Sequence, residues 1–283
     1  MTARIALVTT LDLSVPDADD TLLLSHLPES ELVCWDDPSV NWADYDAVIL
    51  RSTWNYQDNL DAFLLWAERV SRVTSLYNPL ETIEWNTDKR YLADLAERGF
   101  PVVPTTFVDP GLDVPLDVVV PLDGHLVVKP SVGAGSNGAK LFNGDEAAAR
   151  AHLLALHQAG KTAMIQPYLA EVDEVGETAL MYMGGVFSHA ARKSAILSRA
   201  ISSETGIYAD ENVSPRHAST AERELGDRIV ASLPPLAYTR VDLLPTPDGP
   251  VVLELELTEP SLFLGLSDGA PLRAAAAFRA LLS

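Results

Sequence analysis

Apolar runs and amphipathic segments alternate through the first eighty residues. Residues 5–9 and 47–50 are short apolar or β-branched runs, which are typical of strands buried on both faces. Apolar residues recur near the 3.6-residue period over residues 60–70, and this pattern predicts a helix. A further helix is predicted at 21–27, and further strands are predicted at 31–35 and 74–77. Such alternation favours an open α/β layer with parallel strands, which ends at the turn signal Asn78-Pro79.

In the remaining chain, predicted strands often follow one another directly. One helix is predicted from a cap at Thr87 or Asp88 to Arg98, and further helices at 145–158, 219–233 and 270–282. Strands are predicted at 105–108, 126–129, 140–142, 162–166, 177–183, 186–191, 238–244 and 251–257. The polar stretch 197–216 predicts a loop over a site, with Tyr208 as a candidate substrate contact. We therefore expect an α/β first part and an α+β remainder.

Charge and composition exclude several classes of function. The 283 residues include 40 Asp and Glu against 20 Lys and Arg, which gives a formal charge of −20. Such a balance argues against a general nucleic-acid binder and against docking on an anionic membrane. The single cysteine, Cys34, excludes an intramolecular disulfide and a zinc site built from cysteines. No apolar run reaches the roughly 18 residues of a membrane span, and no signal peptide is evident, so we expect a soluble cytoplasmic protein.

A glycine-rich stretch follows the strand predicted at 126–129. Residues 133–138 match G-x-G-x-x-G, but that fingerprint opens a helix, and here Gly138 leads into a predicted strand. A Walker A loop is absent because no Gly-Lys-Ser/Thr follows the glycines. The pattern predicts a hairpin flap, which is either a flexible turn or a lid whose backbone N–H groups close over phosphates. Lys129, at the end of an apolar strand, favours the lid.

An acidic hairpin near the C-terminus is the second chemical signal. Glu254 and Glu256 alternate with leucines and therefore share one face of a strand. Asp242 on the preceding strand joins them only in one of two hairpin registers, and we assume that register. Three close carboxylates repel one another unless a cation lies among them, and an oxygen-only set suits magnesium. The alternative is a solvated strand face with unpaired acids.

Three weaker signals have ordinary structural explanations when each is taken alone. Gln166-Pro167-Tyr168-Leu169 ends a strand at a turn whose exposed backbone groups can pair with a purine, and a carboxylate a few residues later can bind ribose hydroxyls. Lys89 is predicted in the first turn of a helix, where a surface lysine is common. Arg192-Lys193 follows the strand predicted at 186–191 and is equally unremarkable there.

Taken in order, these motifs resemble the ATP-grasp superfamily, and its glutathione-synthetase-like branch in particular. The resemblance covers about residues 86–264. It rests on the ordered set Asp88-Lys89, Val127-Val128-Lys129-Pro130, the glycine flap, Gln166-Pro167-Tyr168-Leu169, Arg240-Val241-Asp242 and Leu253-Glu254-Leu255-Glu256. It implies an N-terminal α/β (pre-ATP-grasp) domain over 1–79 and an ATP-grasp domain over 80–283. Within the latter, a lid subdomain would span about 110–166, and a mainly antiparallel catalytic part about 167–283.

The resemblance also implies residue roles. Lys89 and Lys129 would contact ATP phosphates, beneath the flap residues Ser131, Gly133, Gly135 and Ser136. The adenine slot would be lined by Gln166, Tyr168 and Leu169, with backbone contacts at the last two. Glu177 would bind the ribose, with Glu174 as the fallback. Two magnesium ions would be held by Asp242, Glu254 and Glu256, although many family members have asparagine at the last position. Arg240 and Lys193 would face the γ-phosphate or the intermediate.

Two further motifs, residues 51–56 and 85–89, look like those of the cyclo-ligases of D-cycloserine biosynthesis, which cyclise O-ureido-D-serine. Arg51 follows a predicted strand, where ligands bind in open α/β sheets, and its guanidinium would hold a substrate carboxylate. The alternative is a structural arginine paired with Asp46 or Asp58. The implied reaction converts the carboxylate into an acyl phosphate, which a nitrogen of the same molecule then attacks.

Three other functions remain open at this point. A linear ligase would join an amino acid to an amine or to a second amino acid. A non-catalytic nucleotide-binding module is opposed by the presence of both lysines and all three acids. A Rossmann-type oxidoreductase is a distant third. The expected partner is a small amino-acid-like molecule, and the sequence leaves a homo-oligomer open.

Overall fold

A computed structural model describes residues 3–112, 124–135, 137–194 and 212–282. Ser136, Tyr208 and the greater part of the loop predicted over 197–216 lie outside the described residues. The fold is built from three sheets, and the predicted combination of an α/β layer with antiparallel sheets is confirmed.

The N-terminal sheet contains four parallel strands in the order β2-β1-β3-β4. Its strands are β1 Ile5–Thr9, β2 Ser30–Cys34, β3 Ala47–Leu50 and β4 Ser75–Tyr77. Helices α1 (Ala18–His26) and α2 (Leu60–Ser71) lie in the connections. β1 and β3 are buried throughout, as their uninterrupted apolar runs predict. Asn59 begins α2 by accepting a hydrogen bond from the Ala62 backbone N–H.

The central sheet is antiparallel, in the order β5-β8-β6-β7. Its strands are β5 Thr106–Val108, β6 His125–Pro130, β7 Lys140–Asn143 and β8 Ala163–Pro167. Helix α5 (Glu146–Gln158) covers one face through Ala149, Leu153 and Leu156. β6 and β7 pair directly, so the glycine-rich stretch between them is the predicted hairpin and not the opening of a helix.

The large sheet is antiparallel and five-stranded, in the order β11-β10-β9-β12-β13. Its strands are β9 Glu177–Met183, β10 Val186–Lys193, β11 Val213–Arg216, β12 Tyr238–Leu244 and β13 Val251–Glu256. Helices α6 (Glu171–Val175), α7 (Thr220–Ala231) and α8 (Ala270–Ala280) belong to the same half of the chain. The loop prediction over 197–216 is wrong at its end, because residues 213–216 pair with β10 as an edge strand.

The helix predicted from residue 87 or 88 to 98 begins later in the structure, and a helix that was not predicted precedes it. Helix α3 spans Leu80–Asn86, and helix α4 begins only at Tyr91 and ends at Glu97. Lys89 therefore lies in the connection, where its backbone N–H donates to the Ser131 carbonyl at 2.9 Å. The buried Asn86 fixes the end of α3 by donating to the Leu255 carbonyl and accepting from the Leu257 N–H, each at 2.7 Å. These long-range bonds place the chain against β13 and the flap.

One hydrophobic cluster joins the N-terminal sheet to the large sheet. Ile5 and Ile49 of the first sheet belong to the same cluster as Met181 and Tyr238 of the other, together with Phe278 of α8. The Tyr238 hydroxyl also donates to the carbonyl groups of Leu50 and Thr258 at 2.8 Å. The central sheet has a separate cluster under α5. Within the described ranges, no helix combines the length and apolar character that a membrane crossing needs.

Candidate active site

The hairpin of β12 and β13 brings the three predicted metal ligands together. Asp242 pairs with Glu254, and Arg240 pairs with Glu256, which is the register that the acidic site requires. One carboxylate oxygen from each of Asp242, Glu254 and Glu256 lies within 4.8 Å of the others. A bulge follows immediately, between Asp242 and Leu243. Side chains on the other face, such as Leu255, enter the core.

Cationic side chains surround this acidic cluster. Arg240 donates to both carboxylate oxygens of Asp242 at 2.9 Å and contacts Glu256. Lys193 places its ammonium 3.0 Å from Asp242 and 3.2 Å from Glu177. Lys129 lies 2.9 Å from Glu254. Paired charges of this kind offset the cost of placing carboxylates in a poorly solvated site.

The environment separates the pKa values of the acids. Burial raises the pKa of Glu256 to about 8; Arg240 acts against this shift, while the charges of Asp242 and Glu254 add to it. Burial also acts to raise the pKa of Glu254, but Lys129, Lys89 and Lys193 outweigh it, so this pKa is lowered. Burial raises the pKa of Glu177 against the effect of Lys193. Neighbouring acids of one cluster therefore differ in how readily they bind a proton.

The acidic cluster borders a cavity of about 490 Å³. It lies between the central and large sheets, and the 3₁₀ helix Trp54–Asp58 of the N-terminal half contributes to its wall. Part of its wall is apolar, because Tyr168, Leu169, Leu244 and Leu253 line the cavity and pack in one hydrophobic cluster. Lys89, Lys129, Lys193 and Arg240 line it as well. An apolar slot beside convergent cations is suited to a nucleotide whose base and phosphates need different surroundings.

The flap residues Gly133 and Gly135 line the cavity, as predicted. The Lys89 ammonium donates to the Gly133 carbonyl at 2.7 Å, and the Ala134 N–H donates to the Gln57 side chain at 3.0 Å. Ser131 is not in the cavity wall: its N–H bonds to Thr162 and its carbonyl accepts from Lys89, so its backbone is already occupied. The flap is thus held by Gln57 from the N-terminal half and by Lys89 from the connection between α3 and α4.

Two of the predicted nucleotide contacts have other partners, and a third lies outside the cavity wall. Gln166 lines the cavity, but its side-chain amide donates to the Thr105 hydroxyl at 2.9 Å. The Tyr168 backbone N–H donates to the His125 carbonyl at 3.1 Å and is not open to a purine. Glu174 is exposed on α6 and does not line the cavity, whereas Glu177 does. Of the two predicted ribose contacts, Glu177 is therefore the better placed.

Arg51 also lies outside the cavity wall. Its side chain is 2% exposed, and the guanidinium lies 3.6 Å from Asp20, over the Tyr238 ring, and donates to the Pro260 carbonyl at 2.8 Å. The predicted bond to a substrate carboxylate is not supported by this position. The structural alternative predicts an ion pair between Arg51 and a nearby acid, and the structure shows one. The acid is Asp20, however, and neither Asp46 nor Asp58.

Several residues of the wall were not predicted from the sequence. Tyr56 and Trp54 project from the 3₁₀ helix, and Glu259, Ser261 and Phe263 follow β13. The first two fall inside the motif 51–56, in which the sequence predicts a role only for Arg51. Glu259 lies three residues after Glu256 and just before Pro260, so a search of the turn after the acidic strand would have found it.

Comparisons with known proteins agree with this geometry. A family model described as the N-terminal domain of D-cycloserine synthetase DcsG matches residues 5–78. The cycloserine biosynthesis protein DcsG of Streptomyces lavendulae is 38% identical over 266 residues, which cover 88% of this chain and 87% of that protein. The crystal structure of D-cycloserine synthetase DcsG superposes with a TM-score of 0.89 at 35% identity and 99% coverage of both chains.

A more distant structure shows the fold alone. D-alanine–D-alanine ligase from Bacillus anthracis, solved with ATP, gives a TM-score of 0.66 at 15% identity, over 98% of this chain and 95% of that one. The sheets have the arrangement of the ATP-grasp fold, and the similarity to D-cycloserine synthetase DcsG places the chain among the ATP-grasp ligases. Within that class, the chain belongs to the DcsG family, so the family resemblance read from the sequence motifs is confirmed.

Proposed function

We propose that this protein uses ATP to activate the carboxylate of O-ureido-D-serine and closes the molecule to D-cycloserine. The observation that carries the proposal is the meeting of three carboxylates with four cationic side chains in one cavity, within a chain of the DcsG family. The partner is thus a small amino-acid-like molecule. A cytoplasmic location is part of the same proposal.

The residues present fit a nucleotide with magnesium. Lys89 and Lys129 would contact the phosphates, and Asp242, Glu254 and Glu256 would hold the metal, because their donors are all carboxylate oxygens within 4.8 Å. The ammonium group of Lys129 forms an ion pair with Glu254, and a bound magnesium ion would take its place beside that carboxylate. When bound, magnesium would neutralise phosphate charge and polarise the γ-phosphoryl group. The pairing of Glu256 with Arg240 offsets the extra charge that glutamate carries over asparagine.

In the first step, a substrate carboxylate oxygen attacks the γ-phosphorus, and the bond from that phosphorus to the bridging oxygen of ADP breaks. In the second step, the ureido nitrogen that is bonded to oxygen attacks the acyl phosphate, phosphate leaves and that nitrogen loses its proton. Reaction of the carbamoyl group on this nitrogen with water then releases it as carbon dioxide and ammonia and gives D-cycloserine. Arg240 and Lys193 would stabilise negative charge that develops during transfer. Enclosure between two sheets would protect the acyl phosphate from water.

Measuring ADP release together with product mass tests the proposal. Purified protein with Mg-ATP and O-ureido-D-serine is expected to release ADP and to form a ring product that contains no second substrate. The L-enantiomer and pairs of amino acids serve as controls. ADP release only with amino-acid pairs, together with a product of their summed mass minus water, would assign a linear ligase instead.

A further inference from the structure

The cavity wall next to the N-terminal domain contains a carboxylate that the proposed reaction does not use. Glu259 lines the cavity near Tyr56 and Trp54. Among the described residues, no cationic group lies within 4.0 Å of it, whereas Glu177, Glu254 and Glu256 each have such a partner. Glu259 is therefore the one acid of this wall, within the described ranges, that is placed to receive a cation from a ligand.

The segment that carries Glu259 is held firmly by the N-terminal half. The Trp54 indole N–H donates to the Glu259 carbonyl at 3.1 Å, and Arg51 donates to the next carbonyl, that of Pro260, at 2.8 Å. A little further along, the buried Asp19 accepts from the backbone N–H groups of residues 262, 263 and 264 at 2.6 to 2.9 Å. A carboxylate on a segment bound at so many points is preorganised for one ligand position.

The electrostatics of this corner favour a cationic ligand. Burial raises the pKa of Glu259 to about 7; Lys89 and the Tyr56 hydroxyl act against this shift without cancelling it. An ammonium group beside the carboxylate would stabilise its charged form, whereas a phosphate or a second carboxylate would be repelled. The aromatic rings of Trp54 and Tyr56 provide further surface that is compatible with a cation.

We propose that Glu259 binds the α-ammonium group of the amino-acid substrate and so orients its carboxylate toward the phosphates. The inference rests on the proposed function, because it requires a substrate that carries both groups. It assigns the corner formed by Trp54, Tyr56 and Glu259 as the subsite that distinguishes amino acids from simple carboxylic acids.

The test compares O-ureido-D-serine with its deamino analogue, 3-(ureidooxy)propanoate, in the wild type and in Glu259→Gln. The wild type is expected to prefer the amino acid by about 30-fold or more in kcat/KM, and the variant to lose most of this preference. The KM for ATP should change by less than about 2-fold. Glu224→Gln, which alters an exposed acid of α7 outside the cavity, is the matched control and should keep the preference.

Each outcome has a separate meaning. Turnover by the wild type with an undiminished preference in Glu259→Gln would overturn the inference and leave the proposed function intact. Equal kcat/KM of the wild type for both compounds would also overturn the inference and leave the proposed function intact. This outcome does not depend on whether the variant folds. Failure of the wild type with both compounds would overturn the proposed function and the inference together.

Discussion

At the scale of single residues, the active-site charges are arranged in pairs whose members have different chemical roles. Lys129 neutralises Glu254 at 2.9 Å and also stands where phosphates would lie. We expect Lys129→Met to lower kcat by 100-fold or more, because phosphate charge loses a partner in the transition state. The fold should survive, since Glu254 borders a cavity that water can enter. Lys140→Met, on the exposed side of the neighbouring strand, is the control and should retain activity.

The loss should appear in steady-state kinetics, with thermal unfolding measured on the same preparations. A variant that is fully folded and turns over like the wild type would show that the phosphates lie elsewhere.

Arg51 gives a prediction about stability. It is the cation beside the buried Asp20, at 3.6 Å, so Arg51→Ala leaves that carboxylate without its neighbouring charge. We expect a loss of about 3–5 kcal/mol in the free energy of unfolding, and partial recovery in the double variant Arg51→Ala/Asp20→Ala. Urea unfolding measures both. If Arg51→Ala kept its stability and raised only the KM for the amino acid, Arg51 would instead be a substrate contact.

These residues show which parts of the site a sequence can reveal. Glu254 and Glu256 were predictable because strand periodicity places them on one face, and only the register of Asp242 remained to be chosen. The partner of Arg51 was not predictable, because Asp20 lies on a helix 31 positions away and meets it only after the sheet forms. Glu259 was missed because it follows the strand, where periodicity no longer applies.

At the scale of secondary-structure elements, helix α7 begins with a reciprocal cap. Ser219 accepts from the Glu222 N–H, and Glu222 accepts from the Ser219 N–H at 2.7 Å. Burial acts to raise the pKa of Glu222, but hydrogen bonds from Thr178 and Ser219 outweigh it and lower the pKa. We expect Glu222→Gln to cost about 1–2 kcal/mol of unfolding free energy at pH 7.

The sign of the pH dependence follows from the lowered pKa. The charged Glu222 stabilises the fold above its ordinary pKa of 4.5, and this contribution disappears as pH falls through the lower folded value. The difference between wild type and Glu222→Gln should therefore shrink in acid. Urea unfolding at several pH values measures it, with Glu224→Gln, exposed on the same helix, as the control. A difference that stays constant with pH would exclude the charged cap.

Most strands were predictable to within a residue or two, because their apolar runs determine which chain segments are buried. The exceptions come from long-range contacts. The helix predicted from residue 87 or 88 begins only at Tyr91, because the N–H of Lys89 bonds to Ser131, a partner that local propensity does not include. Strand β11 was missed because residues 213–216, Val-Ser-Pro-Arg, contain no apolar run and become a strand only by pairing with β10.

At the scale of the whole molecule, the chain is strongly acidic, but several of its cationic side chains line one cavity. The formal charge is −20, yet Lys89, Lys129, Lys193 and Arg240 all line the same space. The repulsion that so negative a surface would exert on ATP is therefore countered locally, where the phosphates would lie. The acidic surface at the same time disfavours nonspecific contact with nucleic acid.

The two halves of the molecule share a hydrophobic cluster, and this predicts how the protein unfolds. Ile5 and Ile49 of the N-terminal sheet pack in one cluster with Met181 and Tyr238 of the large sheet. Removing either sheet would expose the other's apolar surface, so residues 1–79 and the large sheet should unfold together.

The chain offers a built-in probe, because all five tryptophans lie within residues 35–85. Tryptophan fluorescence therefore reports mainly on the N-terminal half, whereas far-ultraviolet circular dichroism reports on the whole fold. We expect the two signals to give the same urea midpoint and slope. Adding Mg-ATP should move both midpoints upward by the same amount, because a ligand bound between the sheets stabilises every part that unfolds with them. A fluorescence transition well below the dichroism transition would show that the N-terminal sheet unfolds independently, despite the shared cluster.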